Sequence, residues 1–358
     1  MEKFGFVGLP NAGKSSLYNA LTGGSALAAP YAFATTDPNV GVAKVPDRRL
    51  QLLSSMSKSK NIVHASVQFT DIGGLVEGAS QGEGLGNQFL ANIREVDAIV
   101  FVLRAFQDPD IPGDPDPLEQ LRVLEIELTL ADLETLEKQV AKKIKVARLD
   151  QTIAGEVNAI EAAVENLSTG IPIYRSGLSE EQLGFLDPYF LLTAKPVLAI
   201  VNIGEDQLAN GAELTESISL ELEDKAEVIS ACIQLEAEAA ELPPDEQVDL
   251  LEGLGLGEGA LPRFISQAYH ILGLRTFLTT GEKESRAWTF REGSTAPEAA
   301  GRIHTDFQKG FIRAETINWE TLLECGGWVE ARDSGKIRVE GKDYIVQDGD
   351  VMEFRFNV

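Results

Sequence analysis

The chain has 358 residues, of which 44% are hydrophobic and 24% charged, as is typical of a globular protein with two or three domains. Its formal net charge of −25 argues against broad nucleic-acid binding, and we expect no sequence-specific DNA partner. Any contact with nucleic acid would need a local basic face that works against the overall field.

Other global features limit where the protein acts. No run of about 18 apolar residues is present, so we expect no membrane-spanning helix and no membrane partner. The first residues lead directly into a predicted strand and a glycine-rich loop, so we expect no signal peptide. Cys232 and Cys325 are too few for a disulfide framework or a zinc site, so we expect a reducing cytoplasm.

The first predicted element is an apolar strand at residues 4–7, followed by the sequence GLPNAGKS and a helical pattern. Here Gly8, Gly13, Lys14 and Ser15 have the spacing G-x-x-x-x-G-K-S of phosphate-binding loops. Strand, loop and helix N-terminus would direct several backbone N–H groups at one point. Lys14 would then reach the terminal phosphates, and the Ser15 hydroxyl would bind Mg²⁺. We predict a nucleoside triphosphate site; the alternative is an ordinary glycine-rich turn.

Two further motifs follow in the order typical of P-loop switch proteins. Thr35 lies in a predicted loop, where such proteins place a second hydroxyl on Mg²⁺, although taken alone it is better explained as a turn threonine. Residues 71–74 have the pattern D-x-x-G at the end of a strand-like stretch. Asp71 would lie beside the metal, and the Gly74 amide would face the γ-phosphate. Lys14, Asp71 and Gly74 are therefore the predicted catalytic residues.

A helical region interrupts the alternation of strands and helices. Apolar runs at 98–103 and 196–202 predict parallel strands that are covered on both faces. Between them, apolar residues recur at spacings of three and four over 133–147 and again over 153–167, which predicts an antiparallel helical arm. The arm carries a cluster of cations at Lys142, Lys143, Lys145 and Arg148. They form either a solvated helix face or a basic patch.

The predicted base-reading motif departs from that of GTP-specific proteins. After a strand, Asn202, Ile203, Gly204 and Glu205 occupy the positions of N-K-x-D. An aspartate there accepts from guanine N1–H and the 2-amino group, which adenine cannot offer. A site built for one base rejects another strongly, so loss of this pattern favours ATP over GTP. A further strand and a base-side loop follow near Ser230.

The pattern changes near Leu274, beyond which short strands alternate with two short helical stretches. A mixed-sheet domain of about 80 residues fits this tract. The predicted organisation is thus an α/β protein. It has a nucleotide-binding domain at 1–128 and 196–273, an inserted helical arm at 129–195 and a C-terminal domain at 274–358.

These motifs together resemble the Obg-like ATPases of the YchF family. The matching tracts are GLPNAGKSS, FATTDPN, DIGGLVEGASQGEGLGNQFL, N-x-x-E at Asn202, RAWTF and GRIHTDFQKGFIRAE. The resemblance runs nearly end to end, and the tracts at 71–90 and 301–315 are highly specific. It implies a P-loop NTPase with a mostly parallel sheet, an inserted antiparallel helical arm and a C-terminal β-grasp (TGS) domain. It also implies hydrolysis of ATP in preference to GTP and association with ribosomes.

The resemblance also implies roles for individual residues. The phosphates would be bound by Asn11, Ala12, Gly13, Lys14, Ser15 and Ser16, with Mg²⁺ on Ser15 and Thr35. The nucleoside end would be bound by Asn202, Ile203 and Ser230, with Ile203 contacting the base through its backbone. Mg²⁺ is the expected cofactor, ATP the expected substrate and the ribosome the expected partner.

Two features of the catalytic loops predict slow unaided hydrolysis. Leu75 follows D-x-x-G where GTPases have a water-orienting glutamine, which agrees with the family. Family members also have a histidine after the strand ending in FVLRAF, but this chain has Pro112 near that position. Related switches without an activating partner turn over on the order of 10⁻⁴ to 10⁻² s⁻¹.

Three other functions stay open on the sequence alone. The chain could be an Obg-class GTPase, a ribosome-binding module whose nucleotide is structural, or a metabolic kinase, although nothing resembles an acceptor pocket. Candidate ribosome contacts are the arm cations and, near the C-terminus, Arg302, Lys309 and Arg313. Each cluster could equally be an ordinary charged surface.

Overall fold

The computed structural model describes residues 2–23, 40–72, 85–111, 113–147 and 151–357. By their internal contacts they form two compact units. The first unit comprises Met1–Ala43 and Gln68–Phe264, and the second comprises Lys44–Val67 and Ile265–Val358. None of the helices in the described ranges has the length and apolar composition needed to cross a bilayer.

The strands and helices alternate through most of the first unit, and the last four helices of the second unit are short. The strands are β1 (Lys3–Val7), β2 (Val40–Lys44), β3 (Asn61–Val63), β4 (Ser66–Asp71), β5 (Ala98–Arg104), β6 (Val197–Asn202), β7 (Glu227–Ala231), β8 (Leu274–Thr279), β9 (Glu284–Arg291), β10 (Phe311–Asn318), β11 (Arg338–Glu340) and β12 (Asp350–Phe356). The helices are α1 (Lys14–Gly23), α2 (Arg48–Ser57), α3 (Leu85–Arg94), α4 (Pro117–Ala147), α5 (Ala154–Ser168), α6 (Glu180–Leu186), α7 (Gly211–Glu221), α8 (Ile233–Ala240), α9 (Pro244–Gly253), α10 (Ala260–Ile271), α11 (Ala296–Ile303), α12 (Thr305–Lys309), α13 (Trp319–Cys325) and α14 (Trp328–Asp333).

The first unit is organised on a six-stranded sheet of order β2-β4-β1-β5-β6-β7. The four pairings from β4 across to β7 are parallel. Every residue of β5 and β6 is buried, as expected for parallel strands covered on both faces. Parallel pairing brings the carboxyl ends of β1, β5, β6 and β7 to one edge. Ligands of such sheets bind at this edge.

The predicted helical arm is present within the first unit. A buried carboxylate holds its first helix to the chain segment that leads to β6. Leu136 of α4 packs with Ile160 and Ala163 of α5 in a common apolar cluster. The helix already begins at Pro117, before the boundary predicted at residue 129. Asp132, which is fully buried in α4, accepts hydrogen bonds from the backbone N–H groups of residues 192 and 193 at 2.9 and 2.7 Å. The root of the arm is therefore fixed to the chain that returns to β6.

The second unit contains a mixed six-stranded sheet of order β11-β10-β12-β8-β9-β3. The central pair, β12 and β8, is parallel, while β8–β9, β10–β12 and β10–β11 are antiparallel. Buried Phe277, Phe290 and Met352 of the sheet pack against Ala296 and Ala300 of α11. One helix packed on such a sheet is the β-grasp arrangement predicted for the C-terminal tract.

Residues 44–67, which we name the inserted segment, belong to the second unit although the sequence analysis placed them in the nucleotide-binding domain. Its strand β3 pairs in parallel with β9. Arg49 bridges Asp47 and Asp348 at 2.9 and 2.7 Å. The hydroxyl of Ser59 donates to the Gly281 carbonyl, 222 positions along the chain. Contacts divide the described chain into two units, and the three-domain division stays a prediction.

Candidate functional site

The loop between β1 and α1 has a backbone that only particular residues accept. Gly13 has a φ of +100°, and Asn11 has a φ of 61°, in the left-handed region that asparagine tolerates. A β-carbon on Gly13 would lie 2.3 Å from Asn202 Nδ2, and one on Gly8 would lie 2.5 Å from the Val102 carbonyl oxygen. These glycines allow the loop to fold close to β5 and to the end of β6.

Lys14 begins α1 and turns back over the loop. Its Nζ donates to the Gly8 carbonyl at 3.1 Å and to the Leu9 carbonyl at 2.8 Å, and the side chain is buried. Burial lowers the pKa of Lys14 from its ordinary value, and the nearby charge of Asp71 partly opposes that shift. The ammonium group is thus held by carbonyl oxygens of the loop that precedes α1.

Ser15 and Asp71 meet beside this lysine. The Ser15 hydroxyl donates to Asp71 Oδ2 at 2.8 Å, from the first turn of α1 to the last residue of β4. Both groups offer hard oxygen atoms. Mg²⁺ in nucleotide sites uses one or two protein oxygens and takes its other ligands from phosphates and water. This pair fits Mg²⁺, although the described residues contain no cluster of three or more metal-binding side chains.

A cavity of about 350 Å³ lies over the loop. It is lined by Asn11, Gly13, Lys14, Ser15, Ser16, Phe106 and Ile111. Most of these residues were predicted to bind phosphate. Ala12 is buried beneath the loop and contributes its carbonyl oxygen to a hydrogen bond instead.

A second cavity of about 610 Å³ adjoins the first, because Gly13, Ser16 and Phe106 line both. Its other lining residues follow the carboxyl ends of β5, β6 and β7 or lie on and just after α8. They are Gln107, Asn202, Ile203, Gly204, Glu205, Asp206, Cys232, Ile233, Gln234, Ala237, Glu238 and Glu241. We call the smaller cavity the phosphate end and the larger one the base end of a single cleft.

Asn202 holds the two ends of the cleft together. Its Nδ2 donates to the Ala12 carbonyl at 3.0 Å, and its Oδ1 accepts from the Ile233 N–H at 3.3 Å. The side chain is buried, so both bonds are made away from water. The phosphate-binding loop and the start of α8 are therefore linked through one amide group.

Several predicted residues either lie outside the described residues or are absent from the two cavity linings. Thr35 and Gly74 lie outside the described residues, as do Leu75, Pro112 and Arg148. Ser230 is placed in β7, where its hydroxyl approaches the start of α7 at Gly211, and it lines neither cavity. The roles predicted for these residues stay predictions.

Sequence reasoning missed part of the cleft wall. Phe106 and Gln107 lie just beyond the end of β5, and Cys232, Ile233 and Gln234 follow β7. The rule that ligands bind beyond the carboxyl ends of parallel strands would have found them. Burial raises the pKa of the Cys232 thiol in this wall, which disfavours its reactive thiolate form.

Comparison with known proteins agrees with this geometry. The family model MMR_HSR1, described as "50S ribosome-binding GTPase", matches residues 3–147. The model YchF-GTPase_C, described as a protein of unknown function, matches residues 274–357. Together they cover the phosphate end of the cleft and the β-grasp part of the second unit.

Similar proteins match over nearly their whole length. "Ribosome-binding ATPase YchF" of Bacillus subtilis (strain 168) is 46% identical over 364 residues, 99% of each chain. The protein of the same name from Escherichia coli O157:H7 is 43% identical over 360 residues, again 99% of each. The solved structure of the Schizosaccharomyces pombe YchF GTPase superposes with a TM-score of 0.89 at 34% identity, covering 99% of this chain and 97% of that one. With this identity, coverage and cleft, the chain belongs to the YchF family.

Proposed function

We propose that the chain is a Mg²⁺-dependent ATPase that works as a slow nucleotide switch on the ribosome. The observation that carries the proposal is the single cleft. Its phosphate end has Lys14 and Ser15, and its base end has Ile203 and Glu205 where a guanine-reading site has lysine and aspartate. Each end supports one part of the activity.

The phosphate end supports hydrolysis by positioning and charge. Water would attack the γ-phosphate in line, while Lys14 and the loop amides hold the developing negative charge. Mg²⁺, held by Ser15 with Asp71 behind it and by the predicted Thr35, would neutralise the phosphate oxygens. Position 75 is leucine rather than the glutamine that orients water in GTPases, which supports slow hydrolysis without a partner.

The base end supports adenine over guanine. Ile203 is buried, so it offers a base its backbone rather than a charged side chain. Glu205 is exposed at the start of a short helix, and its extra methylene moves the carboxylate away from the position of the guanine-reading aspartate. A site without the carboxylate at that position loses the main hydrogen bonds that select guanine.

Affinities for Mg·ATP, Mg·GTP, Mg·ADP and Mg·GDP, measured by calorimetry, test the nucleotide assignment. We expect ATP to bind more tightly than GTP. Tight guanine binding with no detectable adenine binding would establish the Obg-class GTPase instead. This alternative is specific because the solved Schizosaccharomyces pombe relative is named a GTPase.

Ribosome association and a cytoplasmic location are supported by the names of the bacterial relatives. In the arm, Lys143 is already paired with Glu156 at 2.7 Å, which balances part of that cluster. Arg302, Lys309 and Arg313 are exposed in the second unit and are the better candidates for contacts with RNA phosphates. Contacts of this kind weaken steeply as salt is raised.

Co-sedimentation with purified ribosomes tests this part. We expect binding that depends on the nucleotide and decreases with salt, with a shallower salt dependence in Arg302→Gln combined with Lys309→Gln. If Lys14→Ala leaves ribosome binding and its nucleotide dependence unchanged, the nucleotide is structural and the switch is refuted. Single-turnover hydrolysis with and without ribosomes measures the slow step directly.

A further inference from the structure

Gln207 has both ends of its side-chain amide engaged by the backbone of the base end. It lies in the short helix Glu205–Asn210 that follows β6. Its Oε1 accepts from the Gly204 N–H at 2.8 Å, and its Nε2 donates to the Ala105 carbonyl at 3.0 Å. One amide thereby joins the chain leaving β6 to the chain leaving β5.

The two backbone groups that Gln207 joins lead into two segments of the cleft wall, one after β5 and one after β6. Ala105 precedes Phe106 and Gln107, which line the base end. Gly204 is itself part of the wall and leads into further lining residues. Gln207 itself is not among the residues that line the two cavities. Any effect on the base must act through the backbone it holds.

The turn at Gly204 lies close to the chain that leaves β5. A β-carbon there would lie 2.6 Å from Asp206 Oδ1 and 3.6 Å from the β-carbon of Phe106. The backbone also bonds across the strand ends, with the Ala105 and Phe106 N–H groups donating to the Asn202 carbonyl at 2.8 and 3.2 Å. Gln207 adds two further hydrogen bonds that hold the chain after β5 to the chain after β6.

We propose that Gln207 is a positioning residue that sets the shape of the base end and thereby the affinity for the nucleoside part of the nucleotide. The proposal rests on the proposed nucleotide-binding function and assigns a base-specific role to a residue outside the N-x-x-E motif. Only a neutral amide both accepts from Gly204 and donates to Ala105. A glutamate keeps the first bond and sets a carboxylate oxygen against the Ala105 carbonyl, while a methionine makes neither bond.

The experiment compares ligands with and without a base. Binding of Mg·ATP, Mg·GTP and inorganic tripolyphosphate with Mg²⁺ is measured by calorimetry for the full-length protein, Gln207→Met and Gln207→Glu. The matched control is Gln182→Met, because Gln182 accepts from the Ser179 N–H at the start of α6, away from the cleft, at 3.0 Å. Folding of each variant is checked by circular dichroism and thermal unfolding.

We expect both Gln207 variants to bind Mg·ATP roughly tenfold more weakly, as lost hydrogen bonds of this kind imply. Tripolyphosphate affinity should stay within about twofold of the original protein, and Gln182→Met should match it for every ligand. A merely structural role would lower affinity for all three ligands together.

Three outcomes would overturn the proposal. In the first, both Gln207 variants bind Mg·ATP as tightly as the original protein. In the second, ATP and tripolyphosphate weaken in parallel. In the third, Gln207→Met unfolds while a folded Gln207→Glu binds ATP normally. If the original protein binds tripolyphosphate but no adenine nucleotide, the proposed function itself fails, and that result is distinguishable from the others.

Discussion

The phosphate end and the base end of the cleft are built in different ways. The phosphate end comes mainly from one loop and the start of α1, where glycine positions and backbone dihedrals fix the geometry. Phe106 and Ile111 complete its wall, and Asp71 accepts a hydrogen bond from Ser15. The base end collects residues from the ends of three strands and from α8, and it depends on side-chain bridges such as Asn202. A general phosphate-binding device is therefore joined to a more adjustable nucleoside pocket.

The difference indicates where selectivity can change without loss of triphosphate binding. Substitutions at the phosphate end should affect every nucleotide alike, because each carries the same phosphates. Substitutions at the base end should change the ranking of nucleotides and leave the phosphate contribution in place. The following four predictions test this division, in order of decreasing expected effect.

Replacing Lys14 with alanine should produce the largest loss. Removal of a charged donor from a phosphate site costs about 2.7 kcal/mol, or about 100-fold in affinity, for ATP and GTP alike. Calorimetry with both nucleotides measures the change. The matched control is Lys195→Ala, because Lys195 also donates to two carbonyl oxygens, those of Arg94 and Val96, and burial likewise lowers its pKa.

Lys195→Ala should lower the free energy of unfolding without changing nucleotide affinity. A loss at Lys14 that affects only one of the two bases would contradict the separation of the two ends.

Replacing Gly13 with alanine should come second. The new β-carbon would combine an unfavourable φ of +100° with a contact 2.3 Å from Asn202 Nδ2. We expect the free energy of unfolding to fall by about 2 kcal/mol, with weaker binding of all nucleotides. Urea unfolding measures the stability change.

Gly170→Ala is the control for Gly13→Ala, because its φ is +83° but nothing lies within 4 Å of the new β-carbon. It isolates backbone strain from the clash. Equal losses of unfolding free energy in the two variants would mean that Asn202 moves away from the new β-carbon at no cost.

The double variant Ile203→Lys with Glu205→Asp should change the preference between bases. It restores the lysine and aspartate of a guanine-reading motif, so we expect the ratio of GTP to ATP affinity to rise about tenfold. Tripolyphosphate binding should not change. Glu213→Asp, an exposed substitution in α7, is the control for shortening an acidic side chain.

A double variant that weakens ATP and tripolyphosphate equally would show that the base end is not independent of the phosphate end.

The smallest expected effect is the change that a bound nucleotide makes to the rate of cysteine alkylation. Cys232 lies in the wall of the base end, and burial raises the pKa of its thiol. A raised pKa leaves less thiolate at neutral pH, and reactivity increases as the pH approaches that higher pKa. In Cys325→Ser protein, iodoacetamide should modify Cys232 slowly, and Mg·ATP should slow it further by about threefold.

Tripolyphosphate should give no such protection of Cys232, and Cys325 in Cys232→Ser protein should react equally with and without nucleotide. Protection of Cys232 by tripolyphosphate alone would place phosphate in the base end.

The fold and the phosphate end could be predicted because their signals are local. Gly8, Gly13, Lys14 and Ser15 lie within one short motif, and the buried strands appear as continuous apolar runs. The order of two motifs along the chain predicted Ser15 and Asp71 near one metal site, and in the structure the two side chains are hydrogen-bonded. Family resemblance added the β-grasp part and the likeness to ATPases.

The base end could be predicted only in part, because it depends on where separate strands end. Asn202 and Ile203, which the motif indicated, line this end, whereas the residues after β7 that line it start at Cys232 and the role of Ser230 stays a prediction. Phe106 has no motif and is brought to the cleft only by the position of β5 beside β1 and β6. The inserted segment had no local signal either, because its partners are distant in the chain.

The inserted segment has a consequence for synthesis of the chain. Residues 44–67 leave the ribosome before β8 and β9 exist, and about 200 residues must follow before those strands appear. At about 5–20 residues per second, this delay is roughly 10–40 s. A fragment cut at Leu274, although it spans the C-terminal family match, would leave one side of β9 open to pairing with other molecules. We expect such a fragment to aggregate unless residues 44–67 are supplied with it.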